Sequence, residues 1–397
     1  MRIFIGLTDI ANLTAIYAKG FEALGHEVFS AVWNKSRFYP DSHYDLVIDD
    51  RVPGIKTTNK IKSYLKIILN MARLFKAINY DLYIIYAPAV LPTGYFYPVL
   101  KLLGKKIITP FWGSDIRYWY AFSEEMESLG AHHEMLPFFE YAKNRSGGSY
   151  WDKLRTVKAA EKYSDLIITQ PDCSQLLSRP YMRACVPLDL STLTNHVPAR
   201  PEPLILHAPS VPEAKGTDVV LRVMDELAAE GLHFQFRLIE NMPNKELRQL
   251  LSESDIVVDE LYSITVGGLS SEAMATGNAV LVRYLSEFSK VPPGCPAINT
   301  SINTLKANLR QVIVDLDLRI KLATAGRPYI EANNDNVKVC KNLLDWVEQE
   351  NSMNFDFYPS FYKKLKIPEQ ILRDEKEITG RRRRDLYKSL FSNGTMR

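Results

Sequence analysis

The sequence predicts an α/β protein of two doubly wound domains that face each other across a cleft and are followed by a basic extension. Three observations predict it. The chain has 397 residues, more than one ordinary hydrophobic core holds. Short apolar strands alternate with helical stretches in two successive series, and strand–helix–strand units of this kind build parallel sheets. Between the series stand Pro198, Pro201 and Pro203, a stiff connection at which the pattern restarts.

The first series opens with RIFI at 2–5, an apolar strand, followed by a polar loop over 6–14. An amphipathic helix over 14–24 ends at Gly25, and HEVFSAV supplies the second strand. YDLVID (44–49), YDLYIIYA (80–87), KKIITPF (105–111) and SDLIITQ (164–170) continue the strands, with a helix over 151–163 before the last. The second series runs PLILHAP (203–209), a helix over 216–230, FQFRLI (234–239), a helix over 245–252, DIVVDEL (255–261), a helix opening at Ser270, and NAVLVRY (278–284). These give Rossmann-like domains at about 1–197 and 198–345, with residues 346–397 as a partly helical, basic extension. No short repeat recurs, which excludes a solenoid.

Composition narrows the function classes. A hydrophobic fraction of 46% with 24% charged residues is that of a folded globular protein. The net charge of +3 is uneven: residues 351–397 hold eleven Lys or Arg against six acids, so this tail carries +5 and the rest −2. The four cysteines are scattered without a C-x-x-C pair, which argues against a disulfide framework or structural zinc and fits a reducing cytosol. The opening MRIFIGLTD is too short for a secretory segment, and no run approaches the ~18 apolar residues of a membrane span. A cytoplasmic, soluble protein is expected. No metal is expected: His132-His133 has no second ligand pair, and Asp315-Leu316-Asp317 falls inside a predicted helix.

Chemistry concentrates in 255–281, DIVVDELYSITVGGLSSEAMATGNAVL. A strand ends at Asp259-Glu260, a loop carries Gly267-Gly268, and a helix follows. Glycines before a helix N-terminus let backbone N–H groups approach an anion, and the helix dipole adds to the attraction. Glu272, in the first turn, is placed to accept ribose hydroxyls, as acids do in dinucleotide folds. A second cluster follows strand 203–209: His207-Ala208-Pro209-Ser210, then Lys215-Gly216-Thr217, a lysine before a helix N-terminus that suits a diphosphate. Each cluster alone also fits a blander use, a tight turn with a favourable first-turn acid, or a solvated lysine before an N-cap threonine.

In their order, HAPS…KGT, LIENMPNKEL and DIVVDEL…VGGLSSEAMATGNAVL resemble the nucleotide-binding domain of retaining GT-B glycosyltransferases, carbohydrate-active family four. FWGSDIR (111–117) and RACVPLDLSTL (183–193) resemble that family's first domain, so the likeness covers about 1–345. The resemblance implies transfer of a sugar from a nucleoside-diphosphate donor to a glycan or lipid-linked acceptor, with retention and without metal, in cell-surface polysaccharide synthesis. By position it implies that Lys215, with Ser210 and Gly216 beside it, binds the donor diphosphate and that Glu272 binds the ribose. Gly267, Gly268 and Leu269 would supply backbone contacts, Gly6 would face the diphosphate from the opposite domain, and Glu240 would lie near the base. Trp112, Asp115 and Arg117 would form the cleft wall on the acceptor side.

Two positions depart from the family pattern. Ile264 stands where a glutamate usually contacts the donor sugar, and Trp112 stands where the first-domain motif has histidine. They favour the alternative of a non-catalytic, nucleotide-binding partner with the same fold. A GT-B enzyme of another reaction, such as a nucleotide-sugar epimerase, is the other alternative, and the EAMATG context argues against it.

Residues 51–80 hold seven Lys or Arg and no acid. A helix within 56–76 has two uses open to it, packing its apolar face on the sheet or docking on anionic lipid. The arginines from Arg381 to Arg384 form a second basic cluster, suited to a peripheral membrane contact; a nucleic-acid partner is not expected.

Overall fold

The computed structural model describes residues 1–49, 60–86, 96–145, 149–198, 200–349 and 354–378. In chain order the first region contains β1 (Arg2–Leu7), α1 (Leu13–Ala23), β2 (Glu27–Val32), β3 (Leu46–Val47), α2 (Lys60–Arg73), β4 (Leu82–Ile85), α3 (Phe96–Leu102), β5 (Lys106–Pro110), α4 (Trp119–Ser128), α5 (Leu136–Arg145), α6 (Tyr150–Tyr163) and β6 (Leu166–Ile168). Its strands are all parallel in the order β3-β2-β1-β4-β5-β6, so the sequence of strands reverses between β1 and β4. Strand β4 is buried along its whole length, as a parallel sheet covered on both faces requires.

The second region contains β7 (Leu204–His207), α7 (Pro212–Lys215), α8 (Thr217–Ala229), β8 (Gln235–Leu238), α9 (Asn244–Leu251), β9 (Ile256–Val258), α10 (Gly268–Thr276), β10 (Ala279–Val282), α11 (Ser286–Ser289), β11 (Ile298–Asn299), α12 (Leu305–Val314), α13 (Leu316–Asn333) and α14 (Asn336–Glu348). Its five strands are again parallel, in the order β11-β10-β9-β7-β8, reversing between β7 and β9. Two doubly wound sheets are therefore present, as the alternation of elements predicts.

Two placements differ from expectation, each for a local physical reason. Helix α14, which the strand–helix rhythm assigns to the second domain, belongs by contact to the first. Val339, Cys340 and Leu343 bury against Tyr17 and Phe21 of α1. Gly20 makes this approach possible, since a Cβ there would meet Cys340 Sγ at 2.6 Å and Asn336 O at 2.7 Å. Second, Asp315 does not lie inside one long helix: it caps α13, accepting from Leu318 N–H at 2.8 Å, and separates α12 from α13. The described part of the extension is strapped onto the first domain. Phe357 pairs its backbone with Tyr181 and stacks on its ring at 5.0 Å. Further along, Glu375 accepts from Tyr118 Oη at 2.8 Å and Tyr150 N–H at 2.9 Å.

The domains also touch directly. Phe122, Met126, Phe138 and Phe139 of the first form one buried cluster with Tyr262 and Ile264 of the second. Beside it, Arg283 reaches Glu134 with Nη2 at 3.0 Å and Nε at 3.2 Å. Among the described residues no helix is long and apolar enough to cross a membrane.

Candidate nucleotide site in the cleft

Residues that follow strand ends in both sheets enclose a cavity of about 350 Å³. The first domain contributes Ala11 and Leu13 after β1 and Phe38 and Tyr39 after β2. The second contributes Ser210 and Lys215 after β7, Ile239 to Asn244 after β8, and Gly268, Leu269 and Glu272 after β9. Carboxyl ends of parallel strands at a reversal of strand order are where doubly wound folds bind ligands. Five residues expected at the donor site, Ser210, Lys215, Gly268, Leu269 and Glu272, thus share one lining.

Helix α10 begins at this cavity. Its geometry leaves the N–H groups of Gly268 and Leu269 without an acceptor in the helix. The next N–H, of Ser270, goes to Asp259 Oδ2 at 3.0 Å, and Ser270 Oγ goes to the same atom at 2.7 Å. Neither Gly267 nor Gly268 has a positive φ. A Cβ at Gly268 would find only Val186 Cγ1, at 4.0 Å, and one at Gly267 only Asp259 Oδ2, at 3.9 Å. The fold itself places no demand for glycine here, and the missing side chains leave the helix N-terminus open.

Lys215 is buried at the end of α7. Its Nζ stands 2.7 Å from Asp259 Oδ1 and 3.3 Å from Glu260 Oε1. Burial disfavours its charge, but the two carboxylates outweigh burial and hold the ammonium above the ordinary lysine range. Asp259 responds in the opposite sense. Burial would raise its carboxyl, yet Lys215 and Ser270 together hold it below the ordinary range. Asp259 was unassigned in the sequence, and the structure makes it the joint between Lys215 and the first turn of α10.

Glu272 is also partnered. Arg248 Nε and Nη2 reach its Oε1 at 3.0 and 2.6 Å, and Asn244 Nδ2 reaches Oε2 at 3.1 Å. Asn244 and Arg248 lie four residues apart on α9, one helical turn, a spacing from which their common direction was readable. Asn244 N–H donates to Phe38 O of the first domain at 2.8 Å, tying the loop after β2 to α9. Burial, with the nearby Glu272 carboxylate, pushes the Tyr39 phenol well above its ordinary range.

Other expected residues have different roles. Gly6 lies inside β1, not in a loop, and outside the lining. A Cβ there would meet Ala31 O at 2.4 Å, so its glycine serves the packing of β1 on β2. Gly216 carries φ +76° between α7 and α8, a left-handed joint that favours glycine. Glu240 is exposed and outside the lining, where Ile239, Asn241 and Met242 stand instead. Asp115 accepts from Trp112, Gly113 and Ile116 N–H at 3.0, 2.9 and 2.9 Å, so it shapes its own loop. Arg117 pairs with Asp172 at 2.6 Å and lies over the rings of Phe122 and Phe138. Trp112 packs on the first domain's core. Ile264 is fully buried in the interdomain aromatic cluster, so the position of the family's sugar-binding glutamate is filled by apolar packing.

Two parallel-stranded α/β domains that meet over a shared cavity at their carboxyl edges define the GT-B architecture. Solved structures with this architecture are similar along most of the chain. Sucrose-phosphate synthase from Thermosynechococcus elongatus is 14% identical, covering 88% of this chain and 98% of its own, with a TM-score of 0.57. An alpha-glucosyltransferase solved with UDP and a 13-mer DNA containing an HMU base is 12% identical, covering 88% and 100%, with a TM-score of 0.54. Anabaena Alr3699/HepE in complex with UDP-glucose is 12% identical, covering 87% and 99%, with a TM-score of 0.51. No protein-family model matches the chain, and neither does any curated protein.

Proposed function

We propose that this protein is a glycosyltransferase that moves a sugar from a nucleoside diphosphate to a hydroxyl of a glycan or lipid-linked acceptor. The observation that carries this reading is the opening of α10. Gly268, a glycine that the fold does not need, two N–H groups without helical acceptors and the Glu272 carboxylate all border one cavity in a GT-B cleft, whereas Gly267 stands outside its lining. The amides suit a phosphate and the carboxylate suits ribose hydroxyls. That similarly folded proteins were solved with UDP and UDP-glucose supports a nucleotide-sugar donor.

In this reading the negative charge that grows on the departing diphosphate is met by the α10 amides and by Lys215, without a metal. Lys215 is shared with Asp259 and Glu260, so donor binding requires its ammonium to turn partly from Glu260, the more exposed of the two acids. Attack by the acceptor on the same face of the sugar gives retention. A role in cell-surface polysaccharide synthesis at the cytoplasmic face of a membrane completes the proposal.

Incubation with UDP-, GDP- and ADP-sugars and saccharide acceptors, followed by chromatography of the released nucleotide, tests it. Acceptor-dependent release that disappears in Lys215→Ala and Glu272→Ala is expected. The burial of Ile264 beneath first-domain aromatics favours one second reading, a nucleotide-binding partner without turnover. Saturable nucleotide binding with no release across the panel would select that reading.

A further inference from the structure

We infer that the outer face of helices α2 and α3 docks on an anionic lipid bilayer. Both helices rest on the same buried layer of the first sheet: Ile67 and Met71 of α2 pack into the cluster that contains Tyr97 and Leu100 of α3. On their other sides they leave large apolar side chains in solvent. Ile68 is 62% exposed, Leu69 67% and Leu102 87%, with Val99 and Leu103 exposed as well. Apolar side chains scattered singly on a surface need no explanation, but four on two helices of one layer with a fifth directly after them do.

The charge carried by the two helices themselves has one sign, with Asp165 and Asp81 as acids on neighbouring segments. Helix α2 carries Lys60, Lys62, Lys66 and Arg73 and no acid, and the sequence from 51 to 80 contains no acid at all. Residues 96–106, FYPVLKLLGKK, add three lysines and again no acid. Lys101 is engaged with Asp165 at 2.7 Å, whereas Arg73 is exposed with Asn70 Oδ1 at 3.4 Å and Lys105 is half-buried. Arg73 stands one helical turn beyond the exposed Leu69. Leucines that enter the acyl boundary beside cations that meet headgroup phosphates are the two terms of interfacial binding. A nucleic acid would use the cations but leave the leucines unpaid, since it offers stacking surfaces to aromatic side chains.

The patch has a direction. Leu102 and Leu103 immediately precede β5, at the edge where strands begin, whereas the cavity lies at the edge where strands end. Docking by this face holds the first domain from behind and leaves the cleft clear of the bilayer.

Flotation of the full chain with vesicles tests the inference, using phosphatidylcholine alone and phosphatidylcholine mixed with an equal amount of phosphatidylglycerol. Binding only to the mixed vesicles, weakened by salt, is expected. The triple variant Leu69→Ser, Leu102→Ser and Leu103→Ser is expected to lose about tenfold in partitioning while keeping its circular dichroism spectrum. A variant with Arg381 to Arg384 replaced by serine is expected to retain most of the binding. Equal binding to neutral vesicles, a leucine variant that floats like the parent, or binding lost only with the tail arginines would overturn the inference. Capture of RNA or protein in place of vesicles would overturn it as well.

Discussion

Arg248 and Glu272 meet through two nitrogens on one oxygen, Nε at 3.0 Å and Nη2 at 2.6 Å from Oε1, while Oε2 has Asn244 Nδ2 at 3.1 Å. A carboxylate oxygen accepts more than one hydrogen bond, so Oε2 retains capacity for a hydroxyl. The arginine thereby fixes the carboxylate without saturating it. Both side chains are largely buried, at 17% and 9% exposure. Arg248→Met is expected to leave Glu272 without its cation, held by Asn244 alone, and to cost about 3 kcal/mol of stability. Urea denaturation of parent and variant measures it, and a cost near zero would mean that the pair does not hold.

Gly268→Val separates a structural from a ligand-binding glycine. Only Val186 Cγ1 comes within 4.0 Å of the added Cβ, and the backbone needs no positive φ. Stability is expected to stay within about 0.5 kcal/mol of the parent. Nucleotide binding is expected to fall about tenfold or more as the side chain enters the open helix N-terminus. Paired denaturation and binding measurements check both halves.

Ile264→Glu restores the residue type of the resembled family at a position this chain has closed. Ile264 is wholly buried among Phe122, Phe138, Phe139 and Tyr262. A carboxyl there lacks a partner, and a loss of about 3 kcal/mol or more is expected. Thermal unfolding reads this directly. An unchanged midpoint would show that the aromatic cluster opens readily and that a sugar has room beside residue 264.

Glu125 gives a pH signature. It is buried, with Gln175 Nε2 at 2.8 Å, and burial pushes its carboxyl from 4.5 up to about 7. Between those values the folded chain keeps a proton that the unfolded chain has released. Stability therefore falls as pH rises from about 4.5 to about 7 and levels off above that. The whole effect is about 3 kcal/mol. Glu125→Gln is expected to lack this slope and to be the more stable protein at pH above 7. Denaturation of both proteins across this range gives the difference curve.

The two-sheet plan was legible because apolar strands and helix spacings are local signals. The strand series and the proline break at 198–203 needed no tertiary information. The core cavity residues were legible for a similar reason: Gly268 opens the helix after β9, Glu272 follows one turn later, and Lys215 immediately precedes the joint to α8, so local geometry already points all three toward a helix N-terminus. What escaped the sequence depends on contacts between distant segments. Asp259 acquires its role only because α7 brings Lys215 to it, and Glu134 only because Arg283 crosses from the other domain. Helix α14 follows the second sheet in sequence, and only the cleft beside Gly20 sends it to the first. Gly6 shows the reverse error, a glycine in a motif position whose cause is a neighbouring carbonyl. The basic cluster from Arg381 to Arg384 and residues 56–59 of the basic stretch lie outside the described residues.

Calorimetric titration of UDP, GDP and ADP into the parent protein, Gly268→Val and Glu272→Gln tests directly whether the opening of α10 holds a nucleotide. Saturable one-to-one binding of at least one nucleotide to the parent, weakened in both variants, is expected. Binding that is absent for all three nucleotides, or that survives in both variants at parental strength, would contradict it.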